Sequence, residues 1–176
     1  MPENKIKLIS VRELLGKSFY IPSYQRGYRW EEQQIIDLLN DILEFQKKVS
    51  GKRIDVGEFY CLQPLIVTQR KNEDIWEVVD GQQRLTTIFI LLSYLSTKGD
   101  YGIPADLFSI EYETREKEDC SSKYFLQNIT STMEINKTNI DFFRMSDAFL
   151  IIKKWFEVER SGSLKDFVEG LGLRVE

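Results

Sequence analysis

The sequence predicts an α/β chain of the α+β kind: a small mixed sheet with flanking helices, followed by a mainly helical extension. Three observations carry this. "LIVTQR" and "IWEVVD" are short runs rich in β-branched residues, separated by the polar turn "KNED", which reads as a hairpin. "EEQQIIDLLNDILEFQKKV" places Ile35, Leu38, Leu39, Ile42 and Phe45 at helical spacing with acids on the other face. Beyond about residue 115 helical stretches dominate, around 116–127 and 139–160, the second with the better period. The expected division is a core over residues 1–110 and a helical extension over 111–176.

Taken in order, "IKLISVRELL" reads as a short strand running into a helical turn, with Ser10 as N-cap and Glu13 three residues on completing a capping box. In "SFYIPSYQRGYRW", Pro22 and Gly27 break regular structure before the amphipathic helix. After the polar loop "SGKRIDVGE", "FYCLQPLIVTQR" is the first hairpin strand. The second strand leads through "DGQQR" into a helix whose Leu85, Ile88, Phe89, Leu91, Leu92 and Leu95 are apolar nearly all round, so that helix is expected to be buried. "LFSIEYETR" reads as a further strand. "SGS" ends the long helix of the second half, and "LKDFVEGL" starts one more short one.

Composition removes several chemistries. With 176 residues, 42% hydrophobic and 12% aromatic, the chain has the makings of an ordinary globular core. There is no histidine, which excludes Ser-His-Asp triads, His-based acid–base catalysis and His–metal sites within this chain. Cys61 and Cys120 belong to no CxxC pattern and read as reduced thiols. No run approaches the roughly 18 apolar residues of a membrane span, and "MPENKIKLIS" lacks the apolar region of a secretory signal, so the expected location is cytoplasmic. The net charge of −4 attracts no nucleic acid in general. Residues 1–53 nevertheless carry ten Lys/Arg against seven Asp/Glu, a mild positive bias that could serve an anionic ligand.

Two stretches carry candidate chemistry. In "VVDGQQRLTT" a strand meets a helix through Asp80, Gly81, Gln82, Gln83 and Arg84, five residues without a large apolar side chain. The N-terminus of a helix is a natural anion site, because unpaired N–H groups and the positive end of the dipole point out of it. Gly81 allows close approach, Asp80 can cap the helix or hold Mg²⁺, and Arg84 offers a forked donor set for phosphate. The alternative is that Asp80 only caps and Arg84 is only a solvated first-turn residue. No P-loop or GxGxxG accompanies the turn. The second stretch, "YQRGYRW", interleaves two arginines with Tyr24, Tyr28 and Trp30, which suits a base and its phosphates. Alternatively, Tyr28 and Trp30 pack as a staple before the helix.

"IPSYQRGYRWEEQQIIDLLNDI", "LQPLIV" and "VVDGQQRLTTIFILLSYL", in this order, resemble the N-terminal domain of GmrSD-type modification-dependent restriction enzymes, the DGQQR-motif proteins of bacterial phage defence. The likeness continues more loosely through "YETR" and "NIDFFRMSDAF". The first 110 residues are also similar to the ParB/sulfiredoxin fold, in which a Gln-Pro strand and a Gly-x-x-Arg turn flank a nucleotide. Gln82 stands where sulfiredoxin has its cysteine, so sulfinic-acid repair is not implied.

The resemblance implies binding and hydrolysis of a nucleoside triphosphate with Mg²⁺, coupled to recognition of modified DNA and to a nuclease. That nuclease domain lies C-terminal in the family and uses histidine, so this chain is expected to be an N-terminal fragment or a separate NTPase subunit without nuclease activity. Carried over, Asp80, Gln82, Gln83 and Arg84 are the catalytic candidates, with Asp80 on Mg²⁺ or polarising water. Tyr24, Gln25, Arg26, Gly81, Arg84 and Thr87 form the nucleotide-binding set. Arg115 and Arg144 follow the family pattern but equally suit salt bridges. Phosphoryl transfer is largely positioning and charge neutralisation, so a site without histidine is chemically adequate. A module that senses nucleotide or DNA without turnover, and an interaction domain whose turn merely caps its helix, remain alternatives.

Overall fold

The shortest apolar runs of the chain build its sheet. In the computed structural model, which describes residues 7, 9–49, 62–70, 73–99, 103–104, 106–115, 121–158, 167–168 and 171, the strands are β1 (Ser18–Ile21), β2 (Ile66–Gln69), β3 (Ile75–Asp80) and β4 (Ser109–Tyr112). They form one four-stranded sheet in the order β2-β3-β1-β4. β1 runs parallel to both β3 and β4, and β2 pairs antiparallel with β3 as the expected hairpin. The sheet is therefore mixed, as the α+β reading requires.

β1 corrects the sequence reading. The sequence reading assigns "SFYI" to no element, yet it is an inner strand with Phe19, Tyr20 and Ile21 all buried. An inner parallel strand is covered on both faces, so it shows no alternation and reads as a bare apolar run. Pro22 follows it at once and has no N–H to extend the ladder. A second correction shortens the first hairpin strand. It begins at Ile66, and "LQP" lies outside it, with Gln63 in the left-handed region at φ 70°.

The helices follow the apolar periodicity. α1 (Glu32–Val49) buries Ile35, Leu38, Leu39 and Ile42 and turns its acids outward. α2 (Gln82–Ser96) is buried almost all round, as its composition demands. α3 (Ser122–Gln127) is short, and α4 (Ile140–Val158) packs on both α1 and α2. Buried side chains from Val11 to Leu171 join in one hydrophobic cluster, which includes α4's Met145, Phe149 and Ile152. At the start of the chain, a 3-10 turn over Val11–Leu14 follows Ser10, and Glu13 Oε2 accepts the Ser10 backbone N–H at 2.8 Å. Residues 1–6, Cys61, Cys120 and most of "LKDFVEGL" lie outside the described residues. Among the described residues, no helix is long and apolar enough to cross a membrane.

Candidate functional site

β1 and β3 are parallel neighbours, so their carboxyl ends lie at one end of the sheet, the side on which open α/β sheets take ligands. There "YQRGYRW" leaves β1 and "DGQQR" leaves β3. The two stretches are held together by the glutamines. Gln82 Nε2 donates to the Arg26 carbonyl at 2.6 Å, and Gln83 Nε2 donates to the Gly27 carbonyl at 3.0 Å. The Arg29 N–H donates to Gln83 Oε1 at 2.8 Å. Gln25 reaches the other way, from the loop to the end of β3, donating to the Val79 carbonyl at 3.0 Å and to that of Val78.

Beneath them, Tyr28 is fully buried and its hydroxyl lies 2.9 Å from Thr87 Oγ1. Thr87 donates its own proton to the Gln83 carbonyl, so the Tyr28 hydroxyl is the donor of that pair. Burial pushes the Tyr28 phenol above its ordinary range, with the Thr87 bond working against the shift. Much of the polarity of the turn thus serves to fasten one loop to one helix. Each buried backbone group of the loop that is paired this way avoids a desolvation penalty of about 1–3 kcal/mol.

The loop is pinned from a third side by α4. Arg29 forms an ion pair with Asp141, whose side chain is almost wholly buried in the first turn of that helix. Asn139 accepts the N–H groups of Asp141 and Phe142 at 3.0 and 2.9 Å, which fixes the start of α4. The carboxylate lies so close to Gly27 that a Cβ there would come within 2.7 Å of Asp141 Oδ2. Only glycine fits. Sequence reading placed neither Gly27 nor Asp141 in this role.

What the fastening leaves open is a cleft of about 230 Å³, walled by Gln25, Arg26, Trp30 and the five residues Asp80 to Arg84. Gly81, at φ 91°, is the N-cap of α2, so of the two roles open to Asp80 capping is not the one it takes. Its left-handed backbone suits glycine, and a Cβ would meet the Pro64 carbonyl at 3.1 Å. Asp80 is instead the exposed last residue of β3. Among the described residues no side chain caps α2, and its first residues, Gln82 to Arg84, line the cleft. Arg84 is held from behind, donating to Gln63 Oε1 and the Pro64 carbonyl, both at 2.8 Å. Gln63 makes the first of these from its left-handed backbone. Arg26 is exposed. Among the described residues neither arginine is ion-paired.

The remaining candidates lie elsewhere. Tyr24 is 70% exposed, is not on the cleft wall, and donates to Glu77 Oε1 at 3.4 Å. Thr87 is wholly buried beneath the turn. Arg144 pairs with Glu31 at 2.6 Å. Arg115 closes a 3-10 turn after β4, and its side chain lies outside the described residues. Glu113, in the same turn, accepts the Ser23 N–H at 2.6 Å, and this bond holds its carboxyl below the usual range. Trp30, read from the sequence only as a base platform or a staple, supplies the aromatic surface of the wall.

With this geometry in place, the comparison with known families is decisive. Residues 8–168 match the family model of the GmrSD restriction endonuclease N-terminal domain. The chain belongs to that family. No curated protein matches it. As a GmrSD N-terminal domain it is part of a restriction, phage-defence system, and Gln25, Arg26 and Asp80 to Arg84 of this GmrSD domain line the cleft.

Proposed function

We propose that this GmrSD domain binds a nucleoside triphosphate in the cleft and hydrolyses it. One observation carries the reading: the N-terminus of α2, which no described side chain caps, lines one cleft with two arginines that no described carboxylate neutralises. An anion there gains from backbone N–H groups, helix dipole and guanidinium together. The cleft is smaller than the roughly 300–1,000 Å³ of whole-ligand pockets, so it suits the phosphates, with the base against Trp30 or outside.

Mg²⁺ fits this donor set. Asp80 offers an exposed carboxylate, a hard oxygen ligand, and a site of one or two carboxylates plus phosphates is ordinary for this ion. When bound it would neutralise phosphate charge. Arg84 and Arg26 would clamp the phosphates from two sides, and Gly81 would let them approach the backbone. In the restriction system the nucleotide-bound form would license a nuclease, on a C-terminal domain or a separate chain, to act on modified DNA.

A thermal-shift screen against the common nucleoside triphosphates with Mg²⁺ tests this. A ligand at 100 times its dissociation constant adds about 2.7 kcal/mol, or roughly 5–10 °C for a chain of this size. Arg84→Ala should abolish the shift while lowering the ligand-free stability by no more than about 1–2 kcal/mol, since its two hydrogen bonds are exposed. Undiminished phosphate release by that variant would overturn the proposal.

A further inference from the structure

Among the described residues, Gln63 is the one non-glycine residue with a left-handed backbone, at φ 70°. That region crowds Cβ against the carbonyl oxygen that follows. A proline next in the chain restricts the residue further, because its ring pushes the preceding backbone towards extended conformations. Gln63 is exposed, so no burial of its own side chain offsets the strain. A strained residue persists only where its surroundings hold it, and such residues gather at functional sites. Among the described residues its side chain makes one hydrogen bond, and the donor is Arg84.

The turn fixes a guanidinium. Arg84 Nη1 donates to Gln63 Oε1 and Nη2 to the Pro64 carbonyl, both at 2.8 Å, so two adjacent residues hold both ends of the fork. At φ 70° Gln63 presents its side chain and the next carbonyl to one and the same group. The turn also backs the start of α2: a Cβ on Gly81 would meet the Pro64 carbonyl at 3.1 Å and Leu65 Cα at 3.3 Å. A guanidinium has five N–H donors, and these two bonds leave three. Both acceptors are neutral, so the charge stays whole. Arg29 and Arg144 differ, for each is paired with a carboxylate, Asp141 and Glu31.

We infer that Gln63 is a positioning residue of the cleft, one that sets the Arg84 guanidinium for a phosphate without neutralising it. This rests on the triphosphate reading above. Arg84 lines the cleft while the turn holds its fork. A long side chain loses rotamer freedom when it is ordered, and here that loss falls on folding rather than on binding. A carboxylate in place of the amide would grip the fork more tightly and cancel the charge that a phosphate requires.

The test measures the ligand-free melting temperature, and the dissociation constants of non-hydrolysable analogues of the common ribonucleoside triphosphates with Mg²⁺, in wild type, Gln63→Gly and Gln63→Glu. Glycine adopts the left-handed backbone without strain, so Gln63→Gly should melt within about 2 °C of wild type or above it. It should bind the analogue on the order of tenfold more weakly, since a charge-assisted hydrogen bond no longer orients the fork. Gln63→Glu should melt no lower than wild type and bind more weakly than Gln63→Gly, because Arg84 is then neutralised. In an Arg84→Lys background there is no fork to set, and Gln63→Gly should weaken binding less than about twofold.

Unchanged affinity in Gln63→Gly overturns the inference, as does a Gln63→Glu that binds as tightly as wild type. An equal loss in both backgrounds overturns it too, since Gln63 would then not act through Arg84. A melting temperature that falls together with affinity, or a Gln63→Gly that does not fold, makes Gln63 a structural turn residue and overturns it likewise. If Arg84→Lys binds too weakly to measure, the order of affinities in wild type, Gln63→Gly and Gln63→Glu decides. A wild type that binds no analogue removes the parent reading as well, whereas a wild type that binds beside an equally tight Gln63→Gly removes this inference alone.

Discussion

Replacing Gly27 by alanine tests the joint between the cleft loop and α4. The new Cβ would lie 2.5 Å from Asp141 Cγ and 2.7 Å from Oδ2. Neither side yields easily. The carboxylate is 3% exposed and tied to Arg29, its helix start is set by Asn139, and the Gly27 carbonyl is bonded to Gln83. Overpacking of this kind costs about 1–3 kcal/mol. If the ion pair also opens, a buried charge loses its partner, worth about 3–5 kcal/mol when both groups are buried. Arg29 is 35% exposed and can rehydrate, which lowers that figure. The expected loss is about 2–5 kcal/mol by urea denaturation, a fall of roughly 5–15 °C in Tm. In an Asp141→Ala background the space is vacant, and the same change should cost under about 1 kcal/mol. The coupling between the two sites should then exceed about 1 kcal/mol. Equal losses in both backgrounds would refute the claim that the Asp141 carboxylate is what requires glycine at position 27.

Other consequences follow from the buried polar groups. Thr87→Val leaves the Tyr28 hydroxyl without its acceptor and should cost about 1–3 kcal/mol, most of it recovered when Tyr28→Phe is added. A double variant as unstable as Thr87→Val would show that the bond is not the cause. The Tyr28 and Tyr112 phenols are raised by burial, so they stay neutral in the fold where the unfolded chain ionises, from about pH 10. Stability is unaffected by these groups below that pH and falls as pH rises beyond it. Tyr28→Phe with Tyr112→Phe should flatten that alkaline slope in denaturant midpoints, and an unchanged slope would exclude these phenols as its source.

How much of this was legible beforehand differed by element. The amphipathic pattern of α1, the all-apolar α2 and the "LIVTQR"/"IWEVVD" hairpin were readable because helical and strand periodicity are short-range properties of the chain. The residue types around "DGQQR" and "YQR" singled these stretches out, and residues of both line one cleft. Which residue caps α2 was not legible, because Asp and Gly are both acceptable N-caps. Only the backbone path of β3, which ends at Asp80, makes Gly81 the cap.

What the sequence by itself determined was which segments are helical and which pair as a hairpin. Each depends on neighbours a few residues apart. What only the tertiary structure decided was that "SFYI" is an inner strand, a status conferred by β3 and β4 from far along the chain. It also decided which glutamine does what. Gln25, Gln82 and Gln83 carry the same amide and all three fasten the loop, yet among the described residues Gln82 is left with a buried oxygen that has no hydrogen-bond partner. That difference lies in the partners rather than in the side chains, and the partners are set by the packing of β1, β3, α2 and α4.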